Sequence, residues 1–144
     1  MHACVVGVAF TVLELRNLVK ARQTDLVIRL YSTFESKEFQ EALDKVLARE
    51  YKDYNDYKKK YGWSDFMQVG IFFEGIGVLL HRKLIDVGLV DDLFSTPLKH
   101  AWEKMKPAIE DARKLLNRPQ WYEYLQYLSH EIQKREQRLQ QRQQ

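Results

Sequence analysis

Residues 3–34 read ACVVGVAFTVLELRNLVKARQTDLVIRLYSTF, a run without proline in which Gly7 is the one glycine. Val5, Val8, Val12, Leu15, Val19, Arg22 and Leu26 follow one another at alternating steps of three and four. Such steps line residues along one side of an α-helix, whose turn takes 3.6 residues, and they mark the seam of a helix that pairs with another. Arg22 interrupts the stripe as a polar seam residue that fixes register at some cost in stability. A second stripe, Val27, Leu30, Tyr31 and Phe34, opens further round. The distal half of this helix is therefore expected to pack on the rest of the chain. One long N-terminal helix follows, docked at its end and free or membrane-held at its start.

From Ala3 to Leu13 there is no charge. A membrane span needs about 20 apolar residues, so this run is too short to cross a bilayer by itself. No basic segment precedes it and no small-residue cleavage site follows, which argues against a secretory leader. Residues 1–15 thus read as an apolar arm, either a hydrophobic oligomerisation arm or the remnant of a membrane helix, with an ordinary buried helix start as the plain alternative. In the first case Val5, Val8, Val12, Leu15 and Val19 form the self-association seam. Cys4 lies in this arm with no neighbouring base to activate it, so it is expected to pack rather than to act as a nucleophile.

Working outward, the remainder is helical throughout. Ser36 suits an N-cap, with Glu38 and Glu41 in the first turns, ahead of Phe39, Leu43, Val46 and Leu47 at helical spacing. Tyr51, Tyr54, Tyr57 and Tyr61 share a face beside Lys58, Lys59 and Lys60, and Gly62 suits a C-terminal cap. Ser64 or Asp65 is the expected cap of an apolar helix that runs to about Leu84, and Asp86 that of a short helix, Val87 to Phe94. Thr96-Pro97 signals a fresh helix start, and Pro107 a kink within it. Trp121, Tyr124, Leu125, Leu128 and Ile132 give a last core-facing stripe. From Gln133 onward little remains to bury, so residues 133–144 are expected to form a frayed or disordered basic tail. No stretch alternates with period two. The fold class is all-α: a compact helical bundle of about five or six helices with a long N-terminal helix, its domain spanning residues 16–132.

At 144 residues the chain is one domain by length, and its single cysteine excludes an internal disulfide framework. Lys and Arg number 23 against 20 Asp and Glu, a net charge of +3. That excess sits at the ends. Residues 1–37 carry five basic and three acidic side chains, residues 130–144 four and two, and the middle is 14 against 15. Several chemistries are absent from the sequence. Gly70, Gly75 and Gly77 form neither a phosphate loop nor a dinucleotide fingerprint, and they lie within a helix, where they suit close packing. His2, His81, His100 and His130 make no H-E-x-x-H, and no Glu-x-x-His turn of a di-iron bundle is present. No cofactor, metal site or catalytic residue is assigned, and the chain is read as a non-enzyme.

Glu74 stands in the most apolar helix, among Phe66, Val69, Phe72, Phe73, Ile76, Leu79 and Leu80. An unpaired buried charge is too costly to keep, so a structural buried ion pair is expected with Arg29, Arg82 or Arg113. An enzyme site dispersed around Glu74, His81 and Asp86 is the weakest alternative, since no second catalytic group is visible. The Tyr51–Tyr61 face with its lysines invites a nucleic-acid reading, because aromatics interleaved with cations stack bases. Asp53 and Asp56 among them weaken it.

The segment from Phe72 to Asp86, FFEGIGVLLHRKLID, with Leu89-Val90 and Leu93-Phe94 behind it, resembles the central signature of a prokaryotic family. That family is the domain of unknown function numbered 4760. Trp102, Lys106-Pro107, Ile109, Arg113, Tyr122, Leu125 and Leu128 extend the resemblance over about Leu15 to Leu128. It implies a small helical domain that usually follows an N-terminal membrane helix, with Ala3–Leu13 as the exit end of that helix. It supplies no reaction, cofactor or ligand. Arg16, Lys20 and Arg22 would then place the domain in the cytoplasm, at the inner face of the cell membrane. Together these readings describe a membrane-anchored or membrane-apposed module. It self-associates as a homo-oligomer through its N-terminal helix and binds an unidentified protein partner.

Overall fold

The computed structural model describes residues 2–144. Six helices follow in order: α1 (His2–Glu35), α2 (Lys37–Ala48), α3 (Tyr54–Tyr61), α4 (Ser64–His81), α5 (Val87–Leu115) and α6 (Glu123–Arg142). No strand occurs among the described residues. The all-α bundle with a long first helix is thus the observed fold.

Local chemistry sets most boundaries where the sequence suggests them. Ser36 separates α1 from α2, its hydroxyl accepting from the Phe39 amide at 3.2 Å. Asp53 caps α3 by accepting from Asp56 N at 2.8 Å, and Gly62 ends it at φ 72°, where a side chain would be strained. Asp86 caps α5 through Leu89 N. The α4 start differs: Trp63 holds the cap position without a side-chain bond, and Asp65 turns to Arg49 at 2.7 Å. That helix stops at His81, because the Leu84 amide bonds back to Leu79 O and the Lys83 amide to Leu80 O. This arrangement puts Lys83 in the left-handed region at φ 60°.

Two sequence expectations are corrected in the second half. Thr96-Pro97 does not begin a helix; α5 runs unbroken through Pro97 and Pro107. Each interior proline costs roughly 3 kcal/mol. The same side of α5 buries Phe94, Leu98, Trp102, Met105 and Ile109, and such side chains contribute roughly 1.5–3 kcal/mol each, so continuity wins. The second correction concerns residues 133–144, which continue α6 as far as Arg142. Polar anchors replace apolar ones there: Arg135 pairs with Asp91, and Glu136 pairs with Lys99 at 2.7 Å and accepts from the Ser95 hydroxyl.

The core centres on α4, which packs against α2, α5 and α6. Phe39, Phe66, Phe73, Phe94, Leu98, Met105, Leu125 and Leu128 are all essentially without exposure. Two of the α4 glycines are explained by α6. A Cβ on Gly70 would lie 2.7 Å from the Tyr122 ring, and one on Gly77 would collide with the Tyr124 carbonyl. Gly75 meets nothing.

Candidate interaction surface

The start of α1 stands away from this core. Every residue from Ala3 through Arg22 is exposed, a stretch of about 30 Å at the 1.5 Å rise of a helix. Burial begins at Gln23, which is half-covered, and continues through Leu26, Val27, Leu30 and Phe34. The Phe34 ring anchors this distal half, 5.3 Å from Phe94 and 5.6 Å from Phe39 between centroids. Docking of the distal half is therefore as the second stripe implied, with Tyr31 at its edge.

The five seam residues all lie on the bare half. Val5 keeps 70% of its surface and Val19 63%, while Val12, in the middle, keeps 43%. Val12, Leu15 and Val19, with Arg16 and Lys20 beside them, line a shallow hollow of about 470 Å³. The stripe does not end where the body begins. From Val19 it continues at the same three-four spacing into Gln23, Leu26, Leu30 and Phe34, the residues that dock. One helix face is thus bare in its first half and covered in its second. Val6, Phe10 and Leu13 are also exposed, on the opposite side. Cys4, expected to pack, is exposed as well. So large an apolar surface on one element is more than singly scattered surface residues.

The polar junction at Glu74 is a different kind of feature. No arginine lies within ion-pairing distance of Glu74; its Oε2 instead accepts from the Leu125 amide at 2.7 Å. Of the three arginines considered, Arg29 pairs with Asp25 on its own helix at 3.5 Å, and Arg82 caps the end of α4. Arg113 lies nearer: it donates to Trp121 O and to Gln126 Oε1, both at 2.8 Å, and its charge favours the ionised Glu74. The reason for this partner choice lies in α6, whose cap residue Tyr122 offers no side-chain bond. Its first amides must find an acceptor elsewhere. Glu74 supplies one from across the bundle. Burial nevertheless pushes the Glu74 carboxyl above its ordinary range, against the lowering by the Leu125 and Tyr124 amides. The Tyr122 hydroxyl beside it is pushed up to about 12 by burial. The sequence carries a signal for this cap: Pro119-Gln120-Trp121-Tyr122 contains no Ser, Thr, Asp or Asn ahead of α6.

His81 packs edge-on against the Tyr124 and Tyr127 rings, and Asp86 is spent on capping α5. The hollow beside Asp86 has neither Glu74 nor His81 in its lining. No group of three metal-ligating side chains occurs among the described residues. The tyrosine stripe turns inward. Tyr57 is 1% exposed, with Tyr51, Tyr61, Trp63 and Phe66 all within about 5 Å of its ring, so no face is left to stack a base. Lys60 of the lysine run pairs with Asp56. Sequence reasoning missed the near-parallel stack of Trp63 on Phe66 and Trp121, which ties α4 to the entry of α6.

The family model described as Domain of unknown function (DUF4760) matches residues 2–131, from the first described residue of α1 to within α6. No curated protein and no solved structure matches the chain. No single described helix is long and apolar enough to cross a membrane.

Proposed function

The chain belongs to the domain of unknown function 4760 family, and we propose that it is a non-enzymatic helical module that self-associates through the bare half of α1 and presents its body to protein partners. One observation carries the reading: Val5, Val8, Val12, Leu15 and Val19 form an apolar stripe that the body of the chain leaves exposed. Burying such a stripe against a like one contributes roughly 25 cal/mol for each Å² of apolar surface removed from water. Light scattering on the full chain tests the reading. The expected mass is a multiple of the chain mass at micromolar concentration. Leu15→Glu is expected to return it to a monomer with unchanged melting, since Leu15 supports nothing in the core. A wild-type monomer at tens of micromolar overturns the proposal.

A second reading rests on Val6, Phe10 and Leu13, which leave the start of α1 apolar on the side away from the seam. A helix apolar all round suits a lipid environment, and Arg16, Lys20 and Arg22 would then sit at a cytoplasmic membrane face. Flotation with anionic vesicles separates the two readings, because Phe10→Glu weakens membrane binding while leaving the seam intact.

A further inference from the structure

We infer that the self-association is antiparallel: the bare half of α1 in one copy lies head to tail along the same half of α1 in a second copy. This rests on the proposed function above and adds the geometry of the pairing. The stripe that carries the seam becomes, from Gln23 onward, the face on which the chain's own body sits. A second helix running parallel along the seam would therefore meet that body at Gln23. Its own Leu26, Val27 and Leu30 would have to occupy space already filled. A helix running the other way brings its first described turn, from His2 onward, to that point instead. Its body then lies beyond the opposite end of the pair, and the two bodies never compete.

The residues along the stripe fit this direction. With the two helices overlapped head to tail, Val12 of each faces Leu15 of the other, and Val8 faces Val19. The three-four spacing is self-complementary about the midpoint between Val12 and Leu15. Arg22 falls opposite Val5, at the body end of the overlap and away from its own copy. A parallel pair would set Arg22 against Arg22 inside the seam, a like-charge contact in an apolar stripe. The end of the overlap also has a place to land. Beside Gln23 the body carries a shallow hollow of about 360 Å³ walled by Leu80, Ile85, Val87 and Tyr127 and edged by Lys83, Asp86 and Glu131. With the pairing above, Cys4 of the partner comes opposite Gln23, at the rim of that hollow.

The only cysteine makes the test direct, because Cys4 is exposed and needs no substitution. Light scattering on the unlabelled full chain reports self-association by itself. A nitroxide is then placed on Cys4 and the interspin distance is measured by pulsed electron resonance in lipid-free buffer. Head-to-tail overlap puts the two Cys4 positions 19 residues apart along the pair, about 28 Å at 1.5 Å per residue. A dimer with that separation supports the inference. A dimer whose labels lie within about 15 Å overturns the antiparallel arrangement and leaves self-association standing, since parallel helices 8–10 Å apart bring the labels side by side. A monomer overturns both.

Discussion

Replacing Glu74 distinguishes a helix cap from an ion pair. Its Oε2 accepts the Leu125 amide at 2.7 Å, and no guanidinium comes within pairing distance. Glu74→Ala removes the acceptor and leaves a partly buried amide without a partner, which costs about 1–3 kcal/mol. For a domain of this size that lowers the melting temperature by roughly 3–9 °C. Glu74→Gln keeps an acceptor oxygen and removes only the charge, so its stability stays within about 0.5 kcal/mol of wild type at pH 7, a small difference beside the cap. The pH dependence sharpens the contrast. Burial raises the folded-state value of Glu74 above that of the unfolded chain, so between the two values the native state binds more protons. Stability from this group is therefore fully present below the ordinary carboxylate range and declines as pH rises through the raised value. Glu74→Gln does not titrate, and its stability relative to wild type should rise across that window. Thermal unfolding of the three proteins from pH 4 to pH 8 measures it. If Glu74→Gln falls as far as Glu74→Ala at pH 7, the charge itself does the holding, Arg113 is its counter-ion, and the cap argument is refuted.

Four further substitutions have clear signs. Gly77→Ala drives a methyl into the Tyr124 carbonyl and should cost at least about 2 kcal/mol, whereas Gly75→Ala meets nothing and should stabilise by roughly 0.5–1 kcal/mol; denaturant midpoints check the pair. Lys83→Gly removes the strain of a left-handed lysine and should raise stability by up to about 1 kcal/mol in the same assay. Leu139→Glu, on the exposed end of α6, should leave both mass and melting unchanged, in contrast to Leu15→Glu, which should change mass alone.

Much of the fold is legible in the sequence because its signals are local. Ser36, Asp53, Asp86 and Gly62 each act through bonds or dihedrals within a few residues, and they place their helix ends accordingly. Where the sequence misleads, the deciding interaction is distant. Pro97 looks like a start because the local cost of an interior proline is large, yet Phe94 and Leu98 flank it in one continuous buried face. The last residues look frayed because apolar anchors end at Ile132, yet Arg135 and Glu136 find partners on α5 more than 35 positions earlier. Glu74 belongs with these. Its isolation in an apolar helix shows that it needs a partner, but a helix start 51 residues away answers the need as well as an arginine does. In the candidate surface the seam is legible from spacing alone. Its relation to the body is not, because only the docked half shows which way that face turns.

The two halves of α1 obey different energetics, and that difference is why the bare half calls for a partner. The docked half is held by Val27 and Phe34 in the core and by the Ser36 boundary that follows it. The bare half has no tertiary contact, and it is built from Val5, Val6, Val8, Val12 and Val19, whose β-branched side chains lose rotamer freedom in a helix. Isolated helices shorter than about 12–15 residues are marginal in water even with favourable residues. The bare half escapes the nucleation cost only because the docked half supplies the first turns, and each added valine turn gains little. Burying its stripe changes the balance on both counts, removing apolar surface from water and fixing rotamers that the helix has already restricted. A head-to-tail pair does this for two chains at once without moving either body. Under the proposed pairing, the order of the arm and the assembly form one equilibrium, and dilution should loosen the first as it dissolves the second.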